Sequence, residues 1–208
     1  MLHVPTLLEE LSGSRPVFHS EADFQHALAW TIQTNHPGAR LRLETRPERG
    51  IHLDLFVVTD GQRCAIELKY LADRIDVTVG GETFDVPRRA AHDISRYDVC
   101  KDLWRVETMI ADGYADSGWV VALSSDGGYW RPGTKPDPID KAFRIFEGCE
   151  LTGELAWDGR AGTGTTRGRE APITLRGRYE CRWRHYSTVR RSSGRPIELR
   201  YLALPVTT

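Results

Sequence analysis

The sequence predicts an α/β domain in which a central mixed β-sheet carries an antiparallel meander and is flanked by helices. Three observations predict it. A capped amphipathic helix at residues 20–35 is followed at once by three apolar segments joined by turn residues. A long helical segment runs from Pro87 to about Asp112. A short apolar run at 119–124 then has the length and composition of a buried strand. With 208 residues and no internal repeat, the chain is read as one unit spanning 1–208, with its core at about 20–125.

Each element has its own signal. Pro5 opens a short helix at 6–11. Ser20 stands where an N-cap would, Phe24, Leu28 and Ile32 follow at helical spacing, and His36-Pro37-Gly38 ends the segment. Residues 41–45, 51–58 and 63–70 read as three strands, connected by 46–50 and by Asp60-Gly61. Gly80-Gly81 marks a second hairpin between 75–79 and 82–86. Residues 139–146 show a short helical pattern, and the Gly- and Thr-rich 159–168 reads as a mobile loop. Two late strands at 179–186 and 198–205 are expected to complete the sheet.

No apolar run approaches the roughly 20 residues of a membrane span, so no membrane partner is expected. Residues 1–13 lack the features of a signal peptide, and the chain is expected to be soluble and cytoplasmic. Cys64, Cys100, Cys149 and Cys181 are too scattered for a disulfide framework or a zinc site and are expected as buried thiols. The net charge of −1 hides an asymmetry: residues 159–208 hold eleven Arg against three acids, a balance of +8. Residues 1–158 therefore carry 17 basic and 26 acidic residues, a balance of −9. A basic C-terminal quarter suits a phosphate-facing surface as well as a solvated one.

Chemistry concentrates in the second hairpin of the meander. If Asp60-Gly61 is a two-residue type I′ turn, Asp54 faces Glu67 across the ladder and His52 faces Lys69, all on one side of the sheet. Two opposed carboxylates, with Cβ atoms about 5 Å apart, repel unless a proton or cation lies between them. Oxygen ligands of this kind suit Mg²⁺ or Mn²⁺ better than zinc. Glu21, on the sheet-facing stripe of the first helix with Gln25 beside it, is a candidate third ligand. Of 28 basic residues only four are lysine, and Lys69 is the one lysine in the first hundred residues. A compact ammonium fits where a guanidinium fork would not.

Ile51-His52-Leu53-Asp54 followed by Ala65-Ile66-Glu67-Leu68-Lys69, after a helix bearing Glu21, resembles the PD-(D/E)XK nuclease superfamily over about residues 20–112. His52-Leu53 stands where the proline of that name would be. The resemblance implies a restriction-endonuclease-like core and hydrolysis of DNA, with RNA left open. It implies Asp54, Glu67 and the Leu68 carbonyl as metal ligands, Glu21 as the first-helix acid, and Lys69 as the residue orienting the attacking water. His52, Gln25, Arg96, Lys101, Arg182 and Arg184 are expected to border the nucleic acid, and a homodimer is a compatible assembly. The alternative is a nuclease-like module that binds nucleic acid or a protein without cutting.

Overall fold

The computed structural model describes residues 2–46, 52–88, 91–191 and 193–207. It opens with helices α1 (Val4–Ser14) and α2 (Glu21–Asn35). Pro5 lies in the first turn of α1, where its missing N–H removes no helical hydrogen bond. The Ser20 hydroxyl accepts the Asp23 N–H and caps α2, whose buried stripe includes Phe24, Leu28 and Ile32.

Strands β1 (Arg40–Thr45), β2 (Leu53–Thr59) and β3 (Gln62–Leu71) form the expected antiparallel meander. Asp60 and Gly61 have φ of 51° and 76°, both left-handed as a type I′ turn requires, and the β2–β3 register runs from Thr59↔Gln62 to Leu55↔Ile66. The turn expected at 46–50 falls mostly outside the described residues, as does Ile51. The hairpin β4 (Ile75–Val79) and β5 (Glu82–Val86) has the expected bounds. Helix α3 (His92–Ala111) then crosses the sheet to β6 (Ser117–Ser124), which lies parallel to β3.

Next come the short helix α4 (Gly127–Trp130), a single 3-10 turn at Lys141–Phe143, β7 (Glu150–Leu155), the short helix α5 (Thr163–Thr166), β8 (Ile173–Glu180), β9 (Trp183–Arg190) and β10 (Pro196–Val206). The helix expected over 139–146 is thus only that 3-10 turn. The loop at 159–168 contains α5, and β7 had no counterpart in the expectations. The strand expected at 179–186 is two strands: Cys181 exchanges backbone hydrogen bonds with Gly148 and Cys149, extending the β7–β8 pairing, before the chain turns into β9. Only β9 and β10 of the basic tail therefore complete the central sheet, whose order is β1-β2-β3-β6-β10-β9. All of its pairs are antiparallel except β3–β6, so the sheet is mixed, as expected.

Two apolar clusters cover the two sides of this sheet. One joins α1 and α2 to Leu55, Ile66, Leu68, Tyr70 and the β4–β5 hairpin. The other joins α3 and the β7–β8 hairpin to Ala65, Val120, Ala122 and Trp183. Glu107 of α3 ties the layers together, accepting the N–H groups of Arg176 and Gly177 and the Tyr179 hydroxyl at 2.6–3.0 Å. Among the described residues, no helix is long and apolar enough to cross a membrane.

Gly118 sets how closely α3 approaches the β3–β6 pair. A Cβ there would overlap the Val106 side chain of α3 and lie 2.8 Å from the Ala65 carbonyl oxygen. Gly118→Ala is expected to lower unfolding stability by about 1–3 kcal/mol through overpacking, measured by urea denaturation. A variant as stable as the parent would show that α3 has room to move.

Candidate active site

Strand β2 parts from β3 beyond the Leu55↔Ile66 pair, while β3 stays paired with β6 and β2 with β1. The parting leaves backbone groups on the free side of β3, and acidic side chains take them. Asp54 Oδ2 accepts the Leu68 N–H at 2.6 Å, and Glu21 Oε2 accepts the Tyr70 N–H at 2.8 Å. Gln25 Nε2 donates to the Asp54 carbonyl at 2.7 Å and to Glu44 Oε1 at 2.8 Å. Glu44 has φ 49°, a left-handed conformation costly for a residue with a Cβ, at the position in β1 beside this fork. Carboxylates are thus brought to one fork by α2, β1, β2 and β3.

The α3 side of β3 adds two residues that the sequence reading missed. Lys69 Nζ lies 2.7 Å from Asp102 Oδ2 and 3.1 Å from the Leu68 carbonyl oxygen. Arg105 lies 3.1 Å from both Asp102 Oδ1 and Glu67 Oε1. The result is a chain of charges, Lys69–Asp102–Arg105–Glu67, with Asp54 alongside. Spacing of three on α3 was the signal: Asp102 and Arg105 share a stripe that faces β3, displaced from the stripe of Tyr97 and Cys100.

Glu67 is only 1% exposed, and its Oε1 has no hydrogen bond of acceptable geometry despite the nearby guanidinium. Burial first, then the charges of Asp102 and Asp54, push its carboxyl up to about 9, with Arg105 and Lys69 opposing. Burial likewise raises Asp54, against the pull of the Leu68 N–H and Lys69. For Lys69, burial acts to lower the ammonium, but Asp102, Glu21 and Asp54 together outweigh it and hold it above its ordinary value. Three carboxylates share two cations here, and positive charge falls short. Among the described residues, no three His, Cys, Asp or Glu side chains already surround one point as ligands of an ion would. The donor chemistry nonetheless fits a hard divalent cation, since the buried Glu67 oxygen, Asp54 and the Leu68 carbonyl are all oxygen donors.

Other expected site residues are placed differently. His52 precedes β2, outside the ladder, and lies exposed 3.6 Å from Glu44, so it does not face Lys69. The divergence of the strands explains this, because His52 follows β1 rather than β3. Arg96 is buried, bonded to Asp140 at 2.6 Å and to the Gly128 carbonyl at 2.6 Å, which commits its guanidinium to the interior. Lys101 is exposed on α3, and so is Trp104, at 42%. Arg182 lies between β8 and β9, paired with Glu180 at 2.7 Å. Arg184 pairs with Glu9 of α1 at 3.6 Å and stands opposite Tyr201, on the α1–α2 side of the sheet, away from the carboxylates. Cys64, Cys100 and Cys181 are buried free thiols, and Cys149 is half-buried.

In comparison with known proteins, the chain matches no family model and no curated protein.

Because the folded-state pKa of Glu67 lies above its ordinary 4.5, the fold holds a proton that the unfolded chain releases between that value and about 9. The associated stability is present at low pH and lost as pH rises through this window. In chelator, the melting temperature is expected to fall from pH 5 to pH 9, and Glu67→Gln to flatten that fall. An identical slope in both proteins would place the shortage of positive charge elsewhere.

Proposed function

We propose that this protein is a divalent-metal-dependent nuclease that hydrolyses phosphodiester bonds, most readily those of DNA. The observation that carries the reading is the burial of Glu67 between Asp54 and Asp102, in a site with more carboxylate than cation. A structural ion pair would balance its charges; a site that leaves this balance open suits a cation taken up from solution. The order of helix, three-stranded meander, helix and parallel strand, with the β4–β5 hairpin before the second helix, supports the resemblance borne by Asp54, Glu67 and Lys69.

Asp54, Glu67 and the Leu68 carbonyl would hold Mg²⁺ or Mn²⁺, with Glu21 at hand as a further acid. When bound, such an ion lowers the pKa of water and offsets the charge that builds on the phosphoryl oxygens. The residues of the chain do the rest. Gln25 fixes the Asp54 backbone, and the Leu68 N–H fixes its carboxylate, so the nucleophile's side of the site is preorganised. Asp102 holds Lys69 at the mouth of the fork, where its ammonium orients water and faces a phosphate oxygen. Arg105, bonded to Asp102 through one nitrogen, would present its remaining donors to the phosphate.

One observation favours the second reading, a module that binds without cutting: Arg105 already partly neutralises Glu67. The two readings part on catalysis. Linear, circular, double-stranded and single-stranded DNA, and RNA, are to be incubated with Mg²⁺ or Mn²⁺. Cleavage that chelator stops, and that Lys69→Ala or Asp54→Asn slows by about 10²–10³-fold, is the expected result. Binding without cleavage of any substrate would select the second reading.

A further inference from the structure

The sheet has one parallel pair, β3–β6, and ligands of open α/β sheets bind in the crevice outside the carboxyl ends of parallel strands. At that end lies a crevice of about 420 Å³ whose lining includes Asp73, Trp130, Arg131, Arg191, Arg195 and Glu198. Asp73 is four residues beyond Lys69. At about 3.3 Å per residue the Asp73 backbone therefore lies within about 13 Å of the Lys69 backbone. That distance corresponds to roughly four base steps of a duplex.

Its charge is unbalanced in the opposite sense to the carboxylate fork. Both acids in the lining are paired with arginines from outside it: Asp73 with Arg88 at 3.7 Å and Glu198 with Arg200 at 2.9 Å. Among the described residues, Arg131, Arg191 and Arg195 form no ion pair. Three arginines therefore line one crevice without, among the described residues, an ion-pair partner.

One of these arginines is held in place, and a second has room made for it. Arg191 donates to the Arg74 carbonyl at 2.8 Å, and its backbone forms an isolated bridge to Val77, which ties the β9–β10 connection to the β4–β5 hairpin. Gly127 leaves room for Arg131: a Cβ there would stand 3.2 Å from the Arg131 guanidinium carbon. Arginine clusters of this kind grip phosphate oxygens through several N–H donors, and their distribution over α4 and the β9–β10 turn offers donors from two elements to one backbone.

We infer that Arg131, Arg191 and Arg195 bind the phosphodiester backbone of a nucleic-acid strand as it leaves the carboxylate fork. The inference rests on the nuclease reading for its substrate class. It also moves the nucleic-acid surface from Arg182 and Arg184 to the C-terminal end of α4 and the β9–β10 turn.

The test is the binding of a fluorescein-labelled 20-base-pair DNA duplex in EDTA, followed by anisotropy from 50 to 200 mM salt, with cleavage in Mg²⁺ assayed in parallel. Each phosphate contact contributes about 0.9 to the slope of log K against log salt. The pair Arg131→Ala and Arg195→Ala is expected to reduce that slope by about 1.8 and to weaken binding. The pair Arg131→Lys and Arg195→Lys is expected to restore most of the slope, which separates lost charge from lost structure. Cleavage by the parent with an unchanged slope in the alanine pair would overturn the inference and leave the nuclease reading standing. Slope loss without cleavage would do the reverse, and a parent that neither binds nor cuts would overturn both.

Discussion

The structure turns on one electrostatic constraint: Glu67 is a buried acid on a central strand, with Asp54 and Asp102 beside it and only Lys69 and Arg105 to answer them. Burying a carboxylate is expensive unless it is paired and hydrogen-bonded, and here one of its oxygens lacks a proper bond. Much of the surrounding architecture serves to hold this arrangement. Gly118 lets α3 come close enough to place Asp102 and Arg105 over β3, and Glu107 anchors the same helix to β8. On the other side, Ser20 starts α2 at the point from which Glu21 reaches the Tyr70 N–H. The parting of β2 from β3 supplies the space.

This constraint also divides the molecule by charge. Acid in excess collects at the fork, while arginines that among the described residues form no ion pair collect beyond the carboxyl ends of β3 and β6. A cation at the first and a polyanion at the second would each relieve a local imbalance. The overall charge of −1 reveals neither, because it sums over the whole chain. Binding at either place would stabilise the fold by linkage, and the pH window set by Glu67 is where the first contribution grows.

The hairpin was legible because Asp60-Gly61 permits few registers; the expected register holds from Thr59↔Gln62 to Leu55↔Ile66 and stops one pair short of Asp54 and Glu67, which are neighbours without being ladder partners. What the sequence hid was where the ladder ends. Apolar alternation runs through Leu53 and Ile66 without a break, so nothing local announces that β2 leaves β3 and takes His52 with it. Asp102 and Arg105 were hidden for a different reason: charged residues on a helix read as solvated, and only the docking of α3 buries Asp102 and half-buries Arg105. The run 179–186 alternates well enough for one strand, yet Cys181 and Arg182 divide it between two sheets. Strand β7 escaped notice because Gly153, with φ 65°, interrupts its pattern at a shift of register.

The most direct measurement is calorimetric titration of Mg²⁺ and of Mn²⁺ into the protein at pH 8, beside Glu67→Gln and Asp54→Asn. If the fork is a cation site, the parent binds the ion and releases protons on binding, and each substitution removes most of the affinity. A parent that takes up neither ion, or variants that bind as tightly as the parent, would contradict the assignment of Asp54 and Glu67 as the metal's ligands.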